Sequence, residues 1–264
     1  MSLVARDITI GYDKKTVSAH LDLDVPPGRF TAIIGPNACG KSTLLRALSR
    51  LLVPGSGVVL LDGRDIHGRP AKEVARRLGL LPQSSIAPDG ITVAELVARG
   101  RFPHQKLIRQ WSPDDEAAVV AAMTATGVTE LSGELVDTLS GGQRQRVWVA
   151  MVLAQQTPIV LLDEPTTFLD IAHQVELLEL CARLNREQGT TMVAVLHDLN
   201  QAARYADHMV VMKAGAIVAQ GDPREVVTAE LVEDVFGLGC RIIDDPETHT
   251  PLVIPRSSVP QWIG

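Results

Sequence analysis

The nine residues Gly35-Pro36-Asn37-Ala38-Cys39-Gly40-Lys41-Ser42-Thr43 constrain this chain more than any other stretch. They satisfy the pattern G-x-x-x-x-G-K-[ST] in full. An apolar run, Phe30 to Ile34, leads into them. Ser42 to Leu52 then reads as a helix, with Leu44, Leu45, Leu48, Leu51 and Leu52 on one face. A strand, a glycine loop and a helix N-terminus in this order make an anion site. Loop N–H groups converge on phosphate oxygens, and the helix dipole adds partial positive charge. Gly35 and Gly40 permit torsions that a side chain resists. Lys41 is spaced to reach the β- and γ-phosphates, and the Ser42 hydroxyl to ligate Mg²⁺. The stretch therefore predicts a nucleoside triphosphate site in an α/β core.

The rest of the composition narrows the setting. A chain of 264 residues has room for one large domain or two modest ones. Its longest unbroken apolar run, Val147 to Ala154, falls short of the roughly 20 residues that a membrane helix needs. Met1 to Ile10 lacks the apolar core of a secretory signal, so the expected compartment is the cytosol, with any membrane role exercised through a partner chain. Cys39, Cys181 and Cys240 are isolated from one another, which suits a reducing compartment. A net charge of −6 and an aromatic content of 3% argue against a nucleic-acid partner.

Along the chain the texture changes twice. Residues up to Pro82 read as β-rich around the glycine loop: Leu3 to Ile10, Leu21 to Val25, Val58 to Leu61 and Leu78 to Leu81 are strand-like, with turns at Gly11-Tyr12-Asp13 and Asp62-Gly63. From Gln83 to about Leu153 strand patterns nearly vanish, and Thr92 to Ala98, Pro113 to Thr126 and Gln143 to Leu153 read as helices. From Pro158 the α/β alternation resumes, with buried strands at Ile159 to Leu162 and Met192 to Leu196. The expectation is a single domain over residues 1–264. Segments 1–82 and 154–264 form its α/β core and 83–153 a helical insertion.

Two further motifs carry chemistry. Asp163-Glu164-Pro165 closes the apolar run Ile159 to Leu162, which puts both carboxylates at the end of a core strand beside the glycine loop. Asp163 is positioned to hold Mg²⁺ through water and Glu164 to polarise an attacking water. Leu139-Ser140-Gly141-Gly142-Gln143 precedes a helix, so Ser140 serves either as a plain N-cap or as part of a second phosphate-binding turn.

Taken in order, the glycine loop, Leu139 to Gln143 and the Asp163-Glu164 strand resemble the ATP-binding-cassette (ABC) ATPases, and the resemblance spans nearly the whole chain. It implies a P-loop core with an antiparallel β subdomain and a helical insertion. It also implies ATP and Mg²⁺ as ligands. Further residues match the family one by one. Tyr12 is similar to the aromatic that stacks on adenine, or is an ordinary hairpin residue. Gln83 is similar to the glutamine that senses Mg²⁺ and the transporter, or is a solvated loop residue. Asp170 belongs to a loop linking two ATP sites, or caps the helix after it. His197 resembles the switch histidine at the γ-phosphate, or is a satisfied buried histidine. The resemblance makes Glu164, His197 and Lys41 the catalytic set and Ser42, Gln83 and Asp163 the metal set. It adds Gly35 to Thr43, Ser140 to Gln143, Tyr12 and Asp170 as nucleotide contacts. Arg99-Gly100-Arg101-Phe102-Pro103-His104-Gln105 and the stretch Asp163 to Gln174 are similar to ATPases of iron(III)–siderophore importers, a group that includes ferric citrate, haem and cobalamin systems.

The resemblance further implies that Ser140 and Gly142 complete the ATP site of a second copy across a two-fold axis. Integral-membrane permease subunits receive the motion and a substrate-binding protein acts beyond them, which places the chain on the cytoplasmic face of the membrane. A cytosolic iron–sulfur assembly ATPase is the competing expectation. Two local expectations accompany these. Arg99 to Gln105 forms a permease dock with Arg101 as an exposed recognition group, or else a solvated loop. Cys39 is a reactive thiolate at a helix N-terminus, or else an inert small residue.

Overall fold

The computed structural model describes residues 1–13, 15–83, 86–105 and 111–256. In chain order, β1 (Leu3–Tyr12), β2 (Lys15–Val25) and β3 (Phe30–Ile34) precede α1 (Lys41–Leu48). Next come β4 (Ser56–Leu61), β5 (Arg64–Asp65), α2 (Ala71–Ala75) and β6 (Leu78–Leu81). Helices α3 (Val93–Ala98), α4 (Pro113–Ala125) and α5 (Gly141–Ala154) follow, then β7 (Ile159–Asp163), α6 (Ile171–Gln188), β8 (Thr191–Val195) and α7 (Leu199–Tyr205). The last elements are β9 (His208–Lys213), β10 (Ala216–Gly221), α8 (Pro223–Val226), α9 (Ala229–Phe236), β11 (Cys240–Asp244) and β12 (Pro251–Pro255).

The central sheet has the order β10-β9-β3-β8-β7-β6, with β9 through β6 parallel and β10 an antiparallel edge. Every residue of β3, β7 and β8 is buried, as their unbroken apolar runs require. Strand alternation sends Phe30, Ala32 and Ile34 into a core with α5, α6 and α7, and Ile33 into a second core with α1. That second core is closed by the antiparallel sheet β2-β1-β4-β5, so α1 lies between two sheets with Leu44, Leu45 and Leu48 buried. No helix among the described residues is long and apolar enough to cross a membrane.

Three local expectations are corrected. Helix α1 ends at Leu48 instead of Leu52, because Arg50 takes a left-handed φ of 70° and Leu51 and Leu52 both fold back onto Arg46 O. Leu51 is accordingly exposed at 60%. Gly11 and Tyr12 continue β1 instead of turning, paired with Thr16 and Lys15.

The third correction is larger. Arg101 is 5% exposed, and no recognition group. Its Nε donates to Asp115 Oδ1 at 2.8 Å, and its Nη1 donates to Ala154 O at 2.8 Å and to Gln156 Oε1 at 2.9 Å. One guanidinium thereby ties the turn after α3 to α4 and to the end of α5. Its neighbour Phe102 is the exposed member, at 57%, with the backbone behind it held by Arg76 Nε donating to Pro103 O at 2.7 Å.

Candidate functional site

The P-loop is shaped by two glycines. Gly35 has φ 154°, and a Cβ there would stand 2.2 Å from Met212 O. Gly40 caps α1 with φ 108°. The loop between them turns on Ala38 at φ 61°, with Asn37 and Ala38 exposed at its crown and Pro36 half-buried. Lys41 is buried and its ammonium donates to Gly35 O at 2.8 Å and Pro36 O at 2.9 Å. Thr43 is buried behind it. Cys39 is 5% exposed and packs into the core with α1, so of its two readings the geometry matches the inert packing residue.

Ser42 opens α1 beside the end of β7, and its hydroxyl donates to Asp163 Oδ1 at 2.8 Å. Burial pushes the Asp163 carboxyl above its usual range, helped by the charge of Glu164, against the Ser42 bond and the charges of Arg46 and Lys41. A hydroxyl and a carboxylate side by side are hard oxygen donors. Two protein oxygens suit Mg²⁺, which keeps several waters, and a carboxylate crowded towards protonation gains from a divalent cation. The residues fit that ion.

Glu164 follows at φ 53°, an uncommon conformation for a residue with a side chain, of the sort that clusters at functional sites. Its backbone N–H extends the sheet by donating to Val195 O at 3.2 Å. Its carboxylate is held from two sides: Gln83 Nε2 donates to Oε2 at 2.8 Å, and His197 Nε2 stands 2.8 Å from Oε1. Thr167 Oγ1 reaches Oε2 at 3.5 Å. The sheet order explains the meeting. Strands β6, β7 and β8 are neighbours in parallel register, and Gln83, Glu164 and His197 each lie just past the end of one of them.

The remaining predicted residues lie around this centre. Tyr12 ends β1 half-exposed, with the Arg46 guanidinium 5.8 Å from its ring centroid. Ser140 and Gln143 form a capping box at the start of α5: Gln143 N donates to Ser140 Oγ at 3.3 Å, and Ser140 N donates to Gln143 Oε1 at 3.0 Å. A Cβ at Gly141 or Gly142 would meet Phe168 at 3.5 Å or Leu169 at 3.4 Å, so this turn lies against the segment leading to Asp170. Asp170 caps α6, accepting from His173 N at 3.0 Å, and that bond holds its carboxyl below the usual range. Among the described residues no hydrogen bond or ion pair joins Ser140–Gln143 to the P-loop. Sequence reading passed over Arg46 and Thr167. The signals were available: Arg46 lies one helical turn after Ser42, and Thr167 three residues after Glu164.

Comparison with known proteins agrees in kind. Residues 19–167 match the family described as ABC transporter. The ferric enterobactin transport ATP-binding protein FepC of Escherichia coli is 62% identical over 253 residues, 96% of this chain and 93% of the relative. The hemin import ATP-binding protein HmuV of Myxococcus xanthus is 44% identical, covering 98% of this chain and 99% of its own length. Among solved structures, the ATP-binding cassette MJ0796 in a dimeric post-hydrolysis state with ADP and Pi is similar, with a TM-score of 0.74 at 26% identity. That match covers 83% of this chain and 98% of the other.

Proposed function

The chain belongs to the ABC transporter family as an ATP-hydrolysing subunit, and on that premise we propose that it powers uptake of an iron(III)–siderophore or a related metal chelate. It works as a homodimer on the cytoplasmic face of the membrane, docked on separate integral-membrane permease subunits that a substrate-binding protein supplies with cargo. The cargo class rests on the 62% identity to a protein named for ferric enterobactin transport. The 44% identity to a hemin import protein supports the alternative of haem as cargo.

One observation carries the enzymatic reading: Glu164 is gripped by Gln83 and His197, next to the Ser42–Asp163 pair. In the proposed mechanism Lys41 leaves the two loop carbonyls for the γ-phosphate, and the loop N–H groups bind the β-phosphate. Ser42 and Asp163 would hold Mg²⁺, with Gln83 as a third candidate to hold it. When bound, Mg²⁺ neutralises charge on the β- and γ-phosphate oxygens. Glu164 accepts a proton from the attacking water as its oxygen bonds the γ-phosphorus and the bond to the β-phosphate oxygen breaks. Gln83 and His197 fix the direction of that carboxylate, and His197 also meets the γ-phosphate. Tyr12 presents its exposed ring to adenine. Ser140, Gly141, Gly142 and Gln143 of a second copy close the site, with Asp170 on the linking loop, and loss of the γ-phosphate releases them.

Phe102, exposed on the helical block, and Ile86, 93% exposed shortly after Gln83, support a permease dock there. The test of the whole reading is Glu164→Gln. Purified with ATP and Mg²⁺, it should bind nucleotide with wild-type affinity and turn over at least about 100-fold more slowly. It should also elute as a dimer on gel filtration. Wild-type turnover would remove Glu164 from the mechanism. Cargo is tested separately, by uptake of labelled ferric siderophore against labelled haem in cells dependent on this chain.

A further inference from the structure

A pocket of about 390 Å³ opens at the end of β3 remote from the P-loop. Four arginines from four separate parts of the chain line it. Arg29 precedes β3, Arg186 sits in the last turn of α6, Arg204 in the last turn of α7, and Arg224 in α8. Thr248 and Thr250, whose hydroxyls lie 2.8 Å apart, contribute from the turn between β11 and β12.

The pocket's guanidiniums outnumber the carboxylates about them four to three, the carboxylates being Asp207 and Asp222 in the lining and Asp245 beside Arg204. Both lining carboxylates are committed to backbone amides. Asp207 Oδ2 accepts from Phe30 N at 3.0 Å, and Asp222 Oδ1 from Arg224 N at 2.8 Å. The closest ion pairs of Arg204 and Arg224, with Asp245 and Asp222, are long at 3.9 Å. Arg224 also donates from Nε to His249 O at 3.2 Å. The side chains of Arg29 and Arg186 make no hydrogen bond or ion pair among the described residues. Positions 257–264 contain no acidic residue to neutralise them. Helix C-termini account for a basic residue at Arg186, Arg204 and Arg224, but not at Arg29. The positive field is felt nearby: burial, and then the Arg29 charge, hold His208 below the usual histidine range. In a chain of net charge −6, four converging guanidiniums are a local exception.

We propose that this pocket is a second anion site, separate from the ATP site, which takes a small soluble phosphate-bearing anion. Guanidinium forks match phosphate oxygens in pairs. The lining includes Tyr205, Ala203, Ala206 and Pro223 but no exposed large aliphatic or aromatic residue that would enter a bilayer. A free anion is therefore the occupant, and not a lipid headgroup.

Inorganic pyrophosphate is the probe, titrated by calorimetry into the full chain. The P-loop also attracts it, so the titration is made on Lys41→Ala, with and without Arg29→Gln and Arg186→Gln together. Lys41→Ala alone should keep one binding event, and the added pair should weaken that event at least about tenfold, through loss of charge-assisted contacts. On the Lys41 background, Arg29→Gln with Arg186→Gln should leave ATP affinity unchanged, which shows that the fold is intact. Citrate should bind Lys41→Ala at least about tenfold more weakly than pyrophosphate. Vesicles of phosphatidylglycerol should not sediment the chain through these arginines. Pyrophosphate binding that ignores the arginine pair would overturn the site. Equal binding of citrate would overturn its phosphate class, and arginine-dependent sedimentation would overturn the soluble occupant.

Discussion

Arg101→Ala should unfold the protein more readily long before it alters ATP chemistry. The substitution deletes three hydrogen bonds, to Asp115, Ala154 O and Gln156. It strands Asp115, itself 5% exposed, without its countercharge. Removing one partner of a buried ion pair costs about 3–5 kcal/mol. Asp115 keeps two bonds from Ser112, through N at 3.0 Å and Oγ at 2.7 Å, which favours the lower end. A penalty of that size lowers Tm by roughly 6–20 °C in a protein of this length. Burial works to raise the Asp115 carboxyl, but Arg101 and Ser112 outweigh it and hold its pKa below the usual carboxylate range. A depressed folded pKa contributes stability that is present above the unfolded carboxylate pKa and lost as pH falls through the folded value. The gap between Arg101→Ala and the wild type should therefore be widest at neutral pH and shrink as the solution is acidified. Differential scanning calorimetry from pH 7 downwards measures it. A Tm within about 2 °C of the wild type, the small effect that a surface change produces, combined with selective loss of uptake, would refute the clamp and restore Arg101 to the dock.

Four further outcomes can be checked on the isolated chain or the reconstituted transporter. Lys41→Ala should weaken ATP binding by about 100-fold or more, through loss of a charge-assisted phosphate contact, as read by fluorescent-nucleotide titration. Phe102→Asp should leave ATPase activity and Tm near wild type, because the ring is 57% exposed, while weakening association with detergent-solubilised permease about tenfold. Gly35→Ala should fail to accumulate as soluble protein, since its Cβ would stand 2.2 Å from Met212 O. Asp163→Asn should abolish Mg²⁺-dependent turnover and yet raise Tm by a few degrees without nucleotide. A raised carboxyl pKa contributes stability that is present below the unfolded value and lost as pH rises through the folded one. At neutral pH the charge is a burden that a neutral amide removes, and an unchanged or lower Tm would contradict that sign.

What the sequence disclosed, and what it hid, divides along contact distance. The P-loop and the acidic strand end were legible because their chemistry needs residues adjacent in the chain: a lysine next to a serine, two carboxylates after four apolar residues. The end of α1 was illegible for a local reason of its own. Helices usually close on a left-handed glycine or asparagine, and here Arg50 takes that conformation, so the leucine pattern ran on unpunctuated. Arg101 was misread because its partners lie 14, 53 and 55 residues away. A charged residue beside glycine and proline looks solvated until those partners are known.

The meeting of Gln83, Glu164 and His197 is the instructive intermediate case. Family resemblance suggested a role for each, and no spacing between them suggested contact. Their convergence follows from strand order and register. Leu81 pairs Leu162 and Asp163 pairs Val195, so three chain segments leave the sheet at one level. The two residues on the outer strands then close on the one between them. A one-residue slip of β6 or β8 against β7 would turn Gln83 or His197 to the opposite face. The buried faces of β7 and β8 forbid that slip, since each strand is packed on both sides. The apolar core thus sets the direction of the Glu164 carboxylate. Core substitutions that loosen this register, Leu162→Ala or Val195→Ala, should therefore reduce turnover more than they reduce ATP affinity. The lysine and glycine loop proposed to bind phosphate are framed by β3, α1 and the β9–β10 hairpin, away from β6 and β7.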